Sequence, residues 1–401
     1  MKILAFSFYF PPHGGPGALR PLKLLKYAAR LGAEGVVISA DKDDYPILDE
    51  SLLAEIPREF LTLSTPKNRD PLRLLRKKMP NVIHAPSSDL FFLPDNKIWW
   101  IDMASRLGIK SIESPDIVWA TCPPFSAALA ARRAAKELKV PLVLDFRDSW
   151  TKNPNRKRLP APHRIINRYL AAKACNSADL ITCVYNSIAS EIIGYAPTAN
   201  IHILPNGYDP SDRPEETTPI NDDGLNICYL GTIYPDLNYP LEFLQAMVKL
   251  PKTHLKIVGR YPQRVAEDAK RLGISDRVEL LGYKNHKEAL AITSSADALL
   301  LYIDNRSLNC GQVTSKTYEY MGLGRPIIAC IPRGGEAESV LKDYSAAYPI
   351  STGSVSALVR TLKQLSAKKK EGALKRVAPP PEFDRKLIAE KWFELIKDIK
   401  Q

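Results

Sequence analysis

"TSKTYEYMGLGRPIIA", residues 314–329, decides the fold. Thr314 or Ser315 can cap a helix that holds Lys316 to Met321. Two glycines follow, and "PIIACI" (326–331) then reads as a buried strand. One helix feeding one fully apolar strand is half of a parallel α/β repeat, and the same alternation extends in both directions.

Upstream in the second half, "LNICYLG" (225–231), "HLKIVG" (254–259), "VELLG" (278–282) and "ALLLYI" (298–303) read as strands. Between and after them, "YPLEFLQAMVKL" (239–250), "KEALAITSSA" (287–296) and "SVSALVRTLKQLSA" (354–367) read as helices. The first half repeats the pattern. "KILAFSF" (2–8), "GVVISA" (35–40), "PDIVWAT" (115–121), "PLVLDF" (141–146) and "ADLITCV" (178–184) are strands, and another ends at "ILPNGYD" (203–209). "ALRPLKLLKYAARLG" (18–32) and "SAALAARRAAKELK" (126–139) are helices. Residues 205–224 are polar, rich in Pro and Asp, and lack apolar periodicity, so they mark a linker. The expectation is an α/β protein with two Rossmann-like, doubly wound domains facing across a cleft. The first spans 1–205, the second 206–383, and an amphipathic helix over 384–401 closes the chain.

Composition narrows the class. At 401 residues, 45% apolar and 25% charged, the chain is an ordinary globular protein of two or more domains. "MKILAFSFYFPP" is broken too early by proline for a signal peptide, and no run of ~20 apolar residues can span a membrane. The six cysteines form no CxxC pair and lie mostly in apolar runs, which reads as reduced core thiols in a cytoplasmic protein. No histidine or cysteine spacing suits a metal, so neither metal nor cofactor is expected. The net charge of +12 points to an anionic partner. Nucleic acid is disfavoured, because the basic residues lack interleaved aromatics for base stacking. "PKNRDPLRLLRKKMP" (66–80) sets cations beside leucines, and suits an anionic membrane surface as well as a solvated loop.

Candidate site residues cluster where strands end. In open parallel sheets ligands bind beyond the carboxyl ends of the strands. "PPHGGPGALR" (11–20) follows the first strand, so Gly14 and Gly15 allow close backbone approach and Arg20 can meet an anion. Its spacing is not GxGxxG, which disfavours a nicotinamide cofactor. "LDFRDSWTKNP" (144–154) ends a buried strand with Asp145, Arg147 and Asp148, either as an Arg–Asp anchor or as site groups, with Asp148 nearer the cleft. Gly231 and Thr232 can cradle a diphosphate with backbone N–H groups, and Arg260 stands just past another strand. In the opening stretch, Thr314, Ser315 and Lys316 form an anion cradle at a helix N-terminus. Glu319 lies one turn on, on the same face, where a carboxylate can accept from both hydroxyls of a ribose. The bland alternative is a surface ion pair between Lys316 and Glu319, worth ~0.3–0.5 kcal/mol.

The N-terminal "GG", "DFRDSW", "LPNGYD", "YLGT" and "SKTYEYMGLGRPIIA" occur in one order, and together they resemble a GT-B glycosyltransferase of glycosyltransferase family 4. The resemblance covers nearly the whole chain, and "LPNGYD" and "SKxxEYxxxGRP" are its most specific pieces. It implies a C-terminal domain that binds a nucleoside diphosphate sugar and an N-terminal domain that binds a glycan or lipid-linked acceptor. It implies that Glu319 holds the ribose, that Lys316 and the backbone near Thr314 and Ser315 hold the diphosphate, and that Gly14 and Gly15 approach that diphosphate. Arg20, Arg147 and Asp148 fall on the acceptor side, with Asp148 beside the transferred sugar; Asp148 and Lys316 are the expected catalytic residues. The implied reaction is retaining hexosyl transfer in cell-surface polysaccharide biosynthesis, in the cytoplasm or at the inner face of the membrane. Two departures stand out. Many members carry an acid eight residues before the one matching Glu319, where this chain has Gly311. Many also carry a basic pair after the glycine matching Gly231, and "GTIYPDLNY" has none, which shifts the phosphate load to Lys316 and Arg260. The alternatives are a non-catalytic nucleotide-sugar-binding protein and a sugar-nucleotide epimerase of the same fold.

Overall fold

The computed structural model describes residues 1–67, 92–152, 159–214, 223–235, 238–303, 311 and 313–399. From residue 68 onward, the basic stretch at 66–80 lies outside them, as does Cys310. The chain divides into two compact units, Met1–Asn206 with Lys386–Gln401, and Gly207–Arg385.

The first unit is a seven-stranded parallel sheet. Its strands are β1 (Lys2–Phe6), β2 (Glu34–Ser39), β3 (Phe60–Ser64), β4 (Ile117–Cys122), β5 (Leu142–Phe146), β6 (Leu180–Cys183) and β7 (Ile201–Ile203). They lie in the order β3-β2-β1-β4-β5-β6-β7, every pair parallel. β1, β4 and β5 are apolar because helices cover both sheet faces. The order reverses between β1 and β4, the switch point at which such sheets take ligands. The closing helix, Arg385–Asp398, buries Ile388, Trp392 and Ile396 in this unit's core, with Trp392 5.0 Å from Trp119 of β4.

The second unit is a six-stranded parallel sheet: β8 (Leu225–Leu230), β9 (Thr253–Val258), β10 (Val278–Gly282), β11 (Ala298–Tyr302), β12 (Ile327–Ile331) and β13 (Ala347–Ser351). Its order, β10-β9-β8-β11-β12-β13, places the switch point between β8 and β11. The two units therefore have the expected doubly wound α/β architecture.

The sequence reading missed β3 and β13. Both are edge strands, half exposed, and β13 carries Pro349, which a sheet tolerates at its edge. The five described cysteines, 122, 175, 183, 228 and 330, are all free and buried. No described helix is long and apolar enough to cross a membrane.

One buried ion pair ties the first unit together, and it changes the part played by Arg20. The expected anion contact is instead spent on Asp145, which is wholly buried. Arg20 donates Nε to Oδ2 at 3.0 Å and Nη2 to Oδ1 at 2.8 Å. Its remaining donors reach the Leu204 carbonyl at 3.0 Å and the Pro205 carbonyl at 2.8 Å. Thr121 and Thr182 donate to the same carboxylate at 2.9 and 2.7 Å. Burial opposes ionisation, but the guanidinium and the two hydroxyls hold the Asp145 carboxyl below its usual range. The stabilisation is thus in place above the ordinary carboxyl range and is lost as pH falls through the lowered value. Arg20→Met, which leaves that carboxylate buried and alone, should cost the unit about 3–5 kcal/mol in urea unfolding at pH 7. A loss below about 1 kcal/mol would show that the clasp is dispensable.

Candidate functional site

The helix Ser315–Leu323 stands at the switch point of the second sheet, and the reason is one hydroxyl. β8 and β11 pair only at Ala298 with Ile227 and Leu299 with Cys228. Beyond that the strands part, and Tyr320 fills the opening. Its buried Oη accepts from the Leu230 N–H at 2.8 Å and donates to the Leu300 carbonyl at 3.3 Å. Two backbone groups that the open ladder leaves bare are thereby satisfied. The helix ends at Gly324, whose φ of +72° completes a left-handed cap. A Cβ there would also sit 2.6 Å from the Val377 carbonyl oxygen. Arg325 then donates Nε and Nη2 to the Ser294 carbonyl at 3.0 and 2.8 Å.

With the helix phase set by Tyr320, Lys316 lies back over the end of β8. Its Nζ donates to Tyr229 Oη at 2.6 Å and stands 4.3 Å from that ring's centroid. Gly231 turns at φ +117°, and a Cβ on it would meet Lys316 Cδ at 3.1 Å and Nζ at 3.2 Å. Tyr229 is itself held, since Asn238 Nδ2 donates to its oxygen at 2.7 Å. Burial lowers the Lys316 ammonium from 10.5 to about 8, against the nearby charge of Glu319. Among the described residues no hydrogen bond or ion pair within 4.0 Å joins Lys316 to Glu319. The surface ion pair is therefore absent, and the half-buried ammonium has one neutral hydroxyl as its hydrogen-bond partner.

Among the described residues no side chain caps the N-terminus of this helix. Thr314 takes the cap position in extended backbone, but its side chain accepts no bond, contrary to the expected capping. Its Oγ1 and that of Thr317 are buried without partners among the described residues. No acid lies in the first turn. Bare N–H groups, a helix dipole and Lys316 together suit an anion. Thr232 lies half buried beside Gly231, and Arg260 is exposed just past β9.

The sequence reading missed three residues. Tyr229 and Tyr320 act through partners 87 and 90 residues away. His286 opens the helix His286–Ser295, and its Nε2 lies 3.4 Å from Asp212 Oδ2. Burial opposes its protonation, but the Asp212 hydrogen bond and the charge of Glu319 raise it overall. The Glu319 charge thus acts on both Lys316 and His286, raising each against the effect of burial.

In the first unit, Arg147 does not pair with Asp145; two of its nitrogens are taken by carbonyls, while its Nε is buried without a partner among the described residues. It donates to the Gly17 carbonyl at 2.7 Å and the Pro123 carbonyl at 2.6 Å. Its loop is anchored again where Glu191 accepts from Thr151 N at 2.7 Å and from Ser149 Oγ. Asp148, beside it, has no hydrogen-bond partner among the described residues, and burial pushes its carboxyl up against the pull of Arg147. Gly15 packs against the His13 ring, and the Gly14 N–H donates to the Ile47 carbonyl at 3.0 Å. The Gly15 N–H donates to His13 Nδ1 at 3.1 Å, and burial lowers that imidazole from 6.5 to about 4. Gly231→Ala should push Lys316 off β8 and lower affinity for a nucleoside diphosphate at least about tenfold in calorimetry. The φ of +117° means it should also lower the melting temperature, so affinity is read at a temperature where circular dichroism shows the variant folded. Unchanged affinity would remove Gly231 from the site.

Comparison with known proteins follows these units. A family model described as Glycosyltransferase Family 4 matches residues 22–212, and one described as Glycosyl transferases group 1 matches residues 212–376. No curated protein matches. Among solved structures, Alr3699/HepE from Anabaena, in complex with UDP, is 16% identical with a TM-score of 0.65, covering 99% of this chain and 100% of its own. Sucrose-phosphate synthase from Thermosynechococcus elongatus is 14% identical with a TM-score of 0.67, covering 99% and 98%. A protein described as a UDP-N-acetylglucosamine 2-epimerase from Listeria monocytogenes is 14% identical with a TM-score of 0.61, covering 99% and 96%. At these identities the solved structures establish the fold.

Proposed function

Because the chain is a GT-B glycosyltransferase resembling family 4, we propose that it moves a sugar from a nucleoside diphosphate sugar to a glycan or lipid-linked acceptor in cell-surface polysaccharide biosynthesis, with retention at the anomeric carbon and at the inner membrane face. The observation that carries the donor assignment is Lys316, half buried over Gly231 with a tyrosine hydroxyl as its one hydrogen-bond partner among the described residues. A diphosphate would complete its coordination. Glu319, one turn on, would accept from the ribose hydroxyls, and Thr232, Arg260, Thr314 and Ser315 would contact the phosphates.

In the transfer, the bond from the anomeric carbon to the β-phosphate oxygen breaks and a bond from the acceptor oxygen forms. The diphosphate leaves with the electron pair and takes up the acceptor proton. Negative charge grows on the leaving group, where preorganised N–H dipoles and an ammonium lower the barrier. Asp148 is the first-unit carboxyl offered to the transferred sugar or acceptor. Gly311 supplies no carboxylate to the sugar, so substrate hold on that side falls to other groups. The UDP complex of the Anabaena neighbour makes a UDP-sugar the first donor to test.

Glu319→Ala should weaken donor binding by an order of magnitude or more, since charge-assisted hydrogen bonds contribute ~1.5–3 kcal/mol each. Unchanged affinity in calorimetry would end the ribose assignment. The lowered Lys316 also has a pH consequence. Below about 8 it is charged, and above that value binding must recharge it. Diphosphate affinity should therefore fall as pH rises through about 8, with proton uptake visible as a buffer-dependent binding enthalpy. A flat profile from pH 7 to 9.5 would contradict this.

The grouping of Asp212, His286 and Glu319 gives the epimerase alternative one supporting feature. Interconversion of UDP-N-acetylglucosamine without an acceptor would favour it over transfer.

A further inference from the structure

The helix Ala161–Cys175 of the first unit packs inward through Asn167, Ala171, Ala174 and Cys175. Outward, it leaves Ile165 70% exposed, Ile166 50% and Tyr169 60%. At about 100° per residue, these three share one arc of the helix. Single exposed apolar side chains are ordinary, but three on one arc form a patch. Ile193, at the end of the helix Asn186–Ile193, is 52% exposed as well. It lies alongside, because Arg168 donates to the carbonyl of Gly194.

The charge around the patch has one sign. "APHRIINRYLAAKAC" contains no Asp or Glu. Arg168 and Lys173 are exposed beside that arc, and Lys173 Nζ stands 5.6 Å from the Tyr169 centroid. An apolar arc with a tyrosine and a cationic rim matches the boundary between lipid headgroups and acyl chains. Isoleucines would enter the acyl boundary, the tyrosine ring would sit at headgroup level, and the cations would meet phosphates.

We propose that this face docks the protein onto an anionic lipid bilayer, by shallow insertion of Ile165, Ile166 and Tyr169. A second copy is a poorer occupant. It would bring the same acid-free face, on a chain of net charge +12. The inference rests on the membrane-side acceptor reading above and gives it a location. Nucleotide binding at Lys316 and Glu319 does not depend on it.

The test is co-sedimentation of the full chain with phosphatidylglycerol vesicles and with phosphatidylcholine vesicles, without nucleotide. Binding to phosphatidylglycerol alone is expected, weakening as salt rises from about 0.05 to 0.5 M. Ile165→Glu/Tyr169→Glu should reduce the partition coefficient at least about tenfold, and Arg168→Gln/Lys173→Gln should reduce both binding and its salt dependence. All four side chains are exposed, so circular dichroism and melting temperature should not change. Equal binding by the wild type and the Ile165/Tyr169 variant would overturn the proposed face and leave membrane association standing elsewhere. No binding by the wild type would overturn both. A wild-type dimer in sedimentation velocity that the variant dissociates would assign the face to a second copy instead.

Discussion

The hydroxyl of Tyr320 sits where two parallel strands part, and the candidate donor site depends on it. β8 and β11 are held together for two residue pairs and then open at their carboxyl ends. A sheet that opens exposes backbone donors and acceptors that must be satisfied. Tyr320 satisfies one of each, Leu230 N–H and Leu300 C=O, and in doing so pins its own helix in rotation and height. Lys316 lies four residues before it and Glu319 one before. Their positions over the end of β8 follow from that anchor and from helix geometry.

The same motif thus divides its labour. Tyr320, Gly324 and Arg325 are structural: a wedge, a left-handed cap, and a link to the carbonyl of Ser294. Lys316 and Glu319 are what remains exposed to a ligand. The burial that lowers the Lys316 ammonium to about 8 also makes it costly to hold there without an anion. A half-satisfied cation at a helix N-terminus that no described side chain caps is what a candidate binding site kept at the expense of stability looks like. Asp145 shows the contrary solution. It is deeper, yet Arg20, Thr121 and Thr182 satisfy its carboxylate so fully that nothing is left for a substrate.

That contrast explains what the sequence revealed and what it hid. The alternation of apolar runs with helical stretches was enough for two doubly wound α/β units, because buried parallel strands are apolar along their whole length. β3 and β13 escaped because edge strands are half exposed, and Pro349 reads as a breaker. Lys316 and Glu319 could be put forward as a candidate pair from sequence because their spacing is local, one helical turn. Tyr229, Tyr320 and His286 could not, since their meaning comes from partners on other elements. Arg20 was misread for the same reason, and Arg147 in part. A cation near a strand end looks ligand-facing until Asp145 is seen to occupy it, or, for two of the Arg147 nitrogens, the carbonyls of Gly17 and Pro123.

The central claim is that Lys316 is an incompletely satisfied cation that an incoming diphosphate completes. NMR of ¹⁵N-lysine-labelled protein, with the Lys316 ammonium assigned through Lys316→Arg, tests it most directly. The account predicts a midpoint of about 8 in the free protein, rising when UDP is added. A midpoint near the ordinary lysine value of 10.5, indifferent to nucleotide, would contradict it.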